Sequence, residues 1–407
     1  MRIIHTSDWH LGQFFYTRSR AAEHRAFFRW LIAAVEQHQV DALIVAGDIF
    51  DTASPPSYAR ELYNQFVVDL HATGCQLVIL AGNHDSVATL NESRELLAQL
   101  NTRVIAAATE AVTGQVITLT QRDGTPGALL CAIPFLRPRD IQFSQAGQSG
   151  RDKQRDLLTA IRDHYQRCWQ TACERREAAG LEVPIIATGH LTALGVTPGD
   201  AVRDIYIGTL DAFPAQAFPP ADYIALGHIH RAQQVAGNPR IRYSGSPIPL
   251  SFDELGKPKS VVLLTMEGPE IGQIDTLSIP CFQPMAMLSG SLEEVEAQLA
   301  ALPDNPGGQP TWLDIEVSAS AWLSDVQRRI EAMTADRPVE VLLLRRRREQ
   351  SGVALRGEAN ETLAELQVGE VFARRLAQES DLDGPQRARL QALFNATLSA
   401  IDEEPPR

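Results

Sequence analysis

Lysine is nearly missing from this chain. It occurs only at 153, 257 and 259, so 34 of the 37 basic residues are arginine. Arginine's planar fork suits bidentate phosphate contacts, although genomic codon bias gives the same skew. Cysteine is scarce too. Cys75, Cys131, Cys168, Cys173 and Cys281 form no CxxC pair and no zinc-finger spacing, which removes a thiolate metal site and fits a reducing cytoplasm. The opening MRIIHTSD has no apolar h-region, and no apolar run approaches the roughly 20 residues that span a bilayer. Neither export nor membrane insertion is indicated. Positive charge is also in deficit. A formal net charge of -13 argues against coating nucleic acid through bulk charge, so any such contact has to be local. Internal repeats and low-complexity tracts are absent.

What is present is ordinary for a globular protein. The chain has 407 residues, 44% of them hydrophobic and 21% charged, enough for a sizeable core and long enough for two or three domains. From residue 1 to about 275 one grammar recurs: a short β-branched run, a polar cluster, then usually an amphipathic segment. The runs are RIIHTS, DALIVAGD, CQLVILAG, GALLCAIP, VPIIATGH, ADYIALGH and SVVLLTM. Their alternation with helical patterns over Arg18 to Gln39 and Ser57 to Ala72 predicts an α/β domain built on sheet layers. Gly150 to Ala179 reads as an Arg-rich helical excursion.

Glycine and proline thicken around residues 268 to 284, a boundary signal. Beyond it QPMAML, a helix pattern from Leu292 to Leu302, TWLDIEV, a helix from Ala321 to Thr334 and VEVLLL predict a small βαβαβ domain over 280–346. A polar linker, 347–358, leads to a tail, 359–407, with two helix patterns. Val368, Val371, Phe372 and Leu376 make one apolar stripe; Leu390, Leu393, Phe394, Leu398 and Ile401 make the other. A hairpin of two such helices has to dock on something.

The chemistry gathers where the runs of the first domain end, in TSDWH (6 to 10), GDIFD (47 to 51), GNHD (82 to 85), TGH (188 to 190) and GHIH (227 to 230). Open α/β sheets place their ligands at the carboxyl ends of strands. A lone histidine there is usually a structural residue, but five such clusters in one order are a ligand set. Asp8 and His10, like His228 and His230, sit two apart in segments expected to be extended, and so project together. The donors are nitrogen and oxygen, which favours Mn, Fe or Zn at a mixed site. Asp8, His10, Asp48, Asn83, His190, His228 and His230 are too many for one ion and suit two, with Asp48 bridging. Two divalent ions against two aspartates leave about two positive charges for a hydroxide and an anionic phosphoryl oxygen, so a phosphoester fits. His84, beside Asn83, is the candidate proton donor to the leaving oxygen. Either Asp51 or Asp85 can orient its ring.

The ordered set D-x-H, GD, GNH, GH and GHxH resembles the calcineurin-like metallophosphoesterase superfamily over about residues 1 to 270. With PFLRPRD and DAVRDIYIGTLDAF added, the chain resembles the SbcD-like nuclease subunits over nearly its whole length. The resemblance implies a four-layer αββα phosphoesterase domain, a small α/β capping domain and a C-terminal helical hairpin. It implies Mn held by Asp8, His10, Asp48 and His230, and a second Mn held by Asp48, Asn83, His190 and His228, with His84 assisting. Asp51 departs from relatives that carry histidine there, which leaves the support of His84 open. The implied activity is 3′ to 5′ exonuclease on duplex DNA and endonuclease on single strands and hairpins, in replication and recombination. The implied partner is an SbcC-type ATPase bound by the tail, two copies of each together, the chain itself pairing as a homodimer. No GxxxxGK[ST] occurs here, so ATP dependence would come from that partner.

Arg137, Arg139, Arg151, Arg155, Arg162 and Arg345 to Arg348 are candidate phosphate contacts, against the plainer reading of a solvated charged face. Two other functions compete. A phosphodiesterase or phosphomonoesterase for a small molecule needs the same site but not the C-terminal third. A scaffold without catalysis would tolerate gaps in the ligand set, and there are none.

Overall fold

The computed structural model describes residues 1–141, 149–193, 212–303, 308–318, 323–346, 372, 376 and 386–394. The expected layers are there. One six-stranded sheet runs, edge to edge, Glu270–Ser278, Ser260–Glu267, Arg2–Thr6, Ala42–Ala46, Gln76–Leu80 and Thr102–Ile105. The last four are parallel to one another, and the first two pair antiparallel. The second sheet runs Gln233–Val235, Asn238–Tyr243, Tyr223–Gly227, Ile185–His190, Pro126–Cys131 and Val116–Thr120, parallel through its middle four.

Side chains alternate across each strand. Ile44, Ala46, Val78 and Leu80 of the first sheet meet Leu130, Ile186 and Ala225 of the second in one inner core. Leu43, Val45, Leu77 and Ile79 point the other way, under the helices Ala21–Gln37 and Ser57–Ala72. Leu129, Ile185 and Leu226 lie under the long helix Gly150–Ala178. Both faces of both sheets are covered, which is why these runs read as continuous apolar stretches rather than as alternation. Each fully buried aliphatic contributes roughly 1.5–3 kcal/mol.

After residue 284 a smaller parallel sheet, Met285–Gly290, Thr311–Val317 and Val339–Arg346, carries the helices Leu292–Ala300 and Leu323–Thr334 over a core of Leu288, Val295, Leu313, Ile315 and Ile330. Ser291 and Glu294 form a reciprocal capping box at the first of these helices. This unit is joined to the large sandwich by an aromatic stack. Phe15 lies against Trp312 at 5.6 Å between ring centroids, with Phe252, Leu342 and Leu343 around them, and the buried Arg20 guanidinium sits 4.9 Å from the Phe15 ring centre. Arg18 and Glu340 form an ion pair across the same joint. Trp312→Ala is expected to cost about 3 kcal/mol, read as a lower urea midpoint, because the cavity opens between two rigid units that cannot collapse into it.

In the tail, Phe372 and Phe394 stack with ring centroids 3.8 Å apart, and Leu376 is buried. Leu390 and Leu393 are exposed. The linker 347–358 and Val368, Val371, Leu398 and Ile401 lie outside the described residues.

Candidate metal centre

The strands Arg2–Thr6, Ala42–Ala46 and Gln76–Leu80 of one sheet and Ile185–His190 and Tyr223–Gly227 of the other end at the same place. The clusters therefore converge. The loop after Thr6 is not extended as expected. Asp8 and His10 are left-handed (φ 55° and 48°), as are Asp48 (52°) and His228 (97°). The reason is that the loop keeps pairing with its neighbour: Asp8 N donates to Gly47 O, His10 N to Asp48 O and Leu11 N to Ile49 O, at 2.9–3.0 Å. Trp9, fully buried against Phe28 and Phe66, pins the turn from beneath and sends the residues on either side of it into the centre. Positive φ in non-glycine residues costs on the order of 1–3 kcal/mol each and persists where the surroundings over-determine it. Gly227 permits the close approach of the sheets, since a Cβ there would stand 1.9 Å from Ala46 O.

Asp8, His10, Asp48, His190, His228 and His230 are all 4% exposed or less, whereas Asn83 and His84 are half-buried and form the open side. Their donor atoms group as Asp8, His10 and His230; as Asp48, His190 and His228; and as His10, Asp48 and His84. Asp48 belongs to two of these groups.

Proton positions make the arrangement informative. His190 Nδ1 lies 2.9 Å from the Ala46 carbonyl, which only accepts, so Nδ1 carries the hydrogen and Nε2 the lone pair. That lone pair faces the Asp48 carboxylate at 3.2 Å. His10 repeats the pattern: Nδ1 donates to Asp51 Oδ1 at 3.1 Å, and Nε2 has no hydrogen-bond partner and faces Asp48 Oδ2 at 3.6 Å. His228 Nε2 is likewise buried without a partner. Acceptors facing acceptors in a buried site need a cation between them. A proton can fill that place: burial opposes it, but Asp48 and Asp8 push the His190 imidazole up to about 9. For Asp48 burial acts upward, yet His190, His10 and His84 outweigh it and hold the carboxyl well below its usual range. The donor set fits divalent ions in the same place.

A second tier fixes the rings. His230 Nδ1 donates to Glu254 Oε1 at 3.3 Å, and Glu254 is held in turn by Lys259 and by Leu250 N at 3.2 Å. His228 N donates to Asp8 Oδ1 at 2.9 Å, and Ser7 bonds both the Asp8 carboxylate and Ser244. Sequence reasoning missed Glu254 and Lys259. Their only signal is that FDELGKPKS holds two of the three lysines.

His84 Nδ1 donates to the main-chain carbonyl of Asp51 at 2.6 Å, and its amide donates to Asp48 Oδ1 at 2.9 Å. Asp51 thus orients His84 through its backbone and gives its carboxylate to His10. Asp85 ties two turns together, accepting from Ile49 N, Phe50 N and Gly82 N at 2.8–3.1 Å. Of the arginines expected on DNA, Arg137 donates to Asp85 O and Ala106 O, Arg345 pairs with Asp314, Arg139 is exposed beside Asp140, and Arg346 is exposed. Arg155 and Arg162 pair with neighbouring aspartates. The Arg151 side chain, Arg347 and Arg348 lie outside the described residues.

The calcineurin-like phosphoesterase family model matches residues 1–232, and a model described as type 5 capsule protein repressor C-terminal domain matches 281–380. The SbcD component of the SbcCD nuclease of Escherichia coli K12 is 60% identical over 99% of each chain. The chain belongs to the SbcD family. Its relative from Rhodobacter capsulatus is 35% identical over 84% of this chain and 86% of that one, and the Bacillus subtilis relative 30% over 80% and 81%. The resemblance carried by the ordered motifs is borne out over the whole chain, as is the α/β fold class. Membership makes this a metal-dependent phosphodiesterase of a fold that works with divalent ions. No helix among the described residues is long and apolar enough to cross a membrane.

Proposed function

We propose that this protein is a Mn-dependent DNA nuclease, a 3′ to 5′ exonuclease on duplex ends and an endonuclease on single strands and hairpins. It acts in the cytoplasm with an SbcC-type ATPase, two copies of each, in DNA end processing, replication and recombination. The observation that carries the reading is the Asp48 carboxylate lying between two groups of buried histidines whose lone pairs face it. Asp8, His10, Asp48 and His230 would hold one ion, and Asp48, Asn83, His190 and His228 the other. Bound there, two divalent ions supply a lowered water pKa and charge neutralisation at the phosphoryl group. The protein's own part is positional. His84, its Nδ1–H fixed on the Asp51 carbonyl, would hand a proton from Nε2 to the leaving oxygen on the half-buried side of the site.

The division into a nuclease domain (1–275), a capping domain (280–346), a linker (347–358) and docking helices (359–407) belongs to the same reading. The small sheet fixed beside the site by the Phe15 stack suits a cap that limits which DNA enters. Exposed Leu390 and Leu393 on one helical stretch suit a partner surface.

Mn-supplemented digestion of end-labelled duplex and hairpin DNA, with and without the ATPase and ATP, tests this. Wild type is expected to cut single strands alone and blocked ends only with partner and ATP. His84→Ala is expected to lose about 10²-fold with Mn binding intact. Turnover of bis-p-nitrophenyl phosphate without any cleavage of DNA would move the assignment to a small-molecule phosphodiesterase. A separate expectation concerns the second tier: Glu254→Gln should weaken one step of a calorimetric Mn titration by about 10–100-fold, because a neutral amide no longer holds the His230 Nδ1–H with a carboxylate and orients the ring less firmly.

A further inference from the structure

The arginines that the sequence offers as DNA contacts are mostly engaged within the chain. A different group of cations lines a cavity of about 450 Å³ on the open edge of the sandwich. One wall is the edge strands Gln233–Val235 and Asn238–Tyr243 of the second sheet. The other is Ser260–Glu267 and Glu270–Ser278 of the first. His230 of the candidate metal centre is part of its lining.

Four cations line it: Arg231, Arg242, Lys257 and Lys259. Two of the chain's three lysines are therefore here. Glu254 is the acidic residue of the lining, and it is already neutralised by Lys259 and bonded to His230. Among the described residues Arg231, Arg242 and Lys257 make no ion pair, and Arg242 gives only its Nε, to Pro239 O at 2.7 Å. In a chain of net charge -13, three uncompensated positive charges around one concavity are a local reversal of sign. Such a concavity concentrates anions. The guanidinium fork matches phosphate in particular. Tyr243, Pro258 and Val262 add apolar wall, and the volume lies within the range of small-molecule sites.

We propose that this cavity binds the phosphate of a nucleotide, with its sugar or base against the apolar wall, beside the centre where phosphodiesters are cut. The identity of the ligand as a nucleotide rests on the nuclease reading; the affinity for phosphate rests on the cavity. Two sources share that chemistry, a released mononucleotide and a nucleotide of a bound strand.

Calorimetric titration of the metal-free full chain with dAMP, with deoxyadenosine and with a short oligodeoxynucleotide lacking terminal phosphates tests it. Wild type should bind dAMP at least about tenfold more tightly than deoxyadenosine, and the double variant Arg242→Ala, Lys257→Ala should lose about 10-fold or more. Arg328→Ala, an exposed arginine outside the cavity, should bind as wild type does, and matched thermal melting shows that the double variant is folded. If the same variant loses the same factor on the oligonucleotide, and that ligand binds more tightly, the cavity holds a strand; tighter dAMP assigns it to product. Deoxyadenosine binding as well as dAMP, or a double variant indistinguishable from wild type, overturns the proposal. A wild type that binds dAMP here yet cuts no DNA with Mn would overturn the nuclease reading instead and leave the phosphate site standing.

Discussion

Asp48→Asn is expected to lower phosphodiester cleavage by about 10⁴-fold, the largest loss of any single change in this protein. The side chain belongs to two groups of atoms that could hold a metal ion, and its carboxylate is the common counter-charge for His10 and His190. An asparagine of the same shape keeps one acceptor oxygen and the bond from the His84 amide, so the turn should hold. It removes the negative charge, and both candidate ion sites then lose their bridging ligand together. The measurement is paired: cleavage rate, and the number of Mn equivalents bound. Loss of rate with both equivalents retained would show that Asp48 does not bridge. Retained rate would remove the two-ion reading altogether.

The second large effect is on stability in acid. His5 and His24 are fully buried and held neutral, desolvation pushing each imidazole down to about 3. The bonding explains why neither accepts a second proton. His5 Nε2 lies against the Leu226 carbonyl and must donate, so Nδ1 takes the Tyr223 hydroxyl proton and has no room for its own. His24 Nε2 donates to the Trp9 carbonyl at 2.7 Å, Nδ1 is buried without a hydrogen-bond partner, and the positive charge of Arg20 opposes a second proton. In the unfolded chain both titrate near 6.5. The unfolded state therefore binds more protons below that pH, and stability, fully present above 6.5, falls as pH drops from 6.5 toward 3. From pH 7 to pH 5 the two together cost about 4 kcal/mol. Urea midpoints measured across that range should fall, and the double variant His5→Gln, His24→Gln should show a flatter pH slope whatever its stability at neutrality. An equal slope in the two proteins would place acid sensitivity elsewhere.

Much of this architecture is written locally. Ser57–Ala72 and Thr311–Val317 coincide with their patterns because apolar spacing and chain length there allow one structure. The strand Glu270–Ser278 left no such trace, since as a solvated edge it is mostly exposed and reads as polar loop. The ligand clusters were legible because polar residues closing an apolar run are costly unless something gathers them. Their backbone was not, as left-handed turns at Asp8 and His10 follow from hydrogen bonds to a loop far along the chain. Glu254 and Lys259 were hidden for the same reason: only the folded chain brings residues from beyond the last ligand back beneath His230. The surroundings of the arginines were not legible because sequence shows a charge and not its neighbour, and Asp314 beside Arg345 is visible only in the pairing of two strands.

The Phe15–Trp312 stack has a mechanical consequence. Phe15 stands a few residues beyond His10 on the same connecting loop, and an extended chain spans at most roughly 3.5 Å per residue. The tether is short and both its ends are buried, so it has almost no slack. A pull on the small sheet is delivered to the imidazole of His10 before it can be absorbed in between, so the Phe15–Trp312 joint is also a handle on the candidate metal centre.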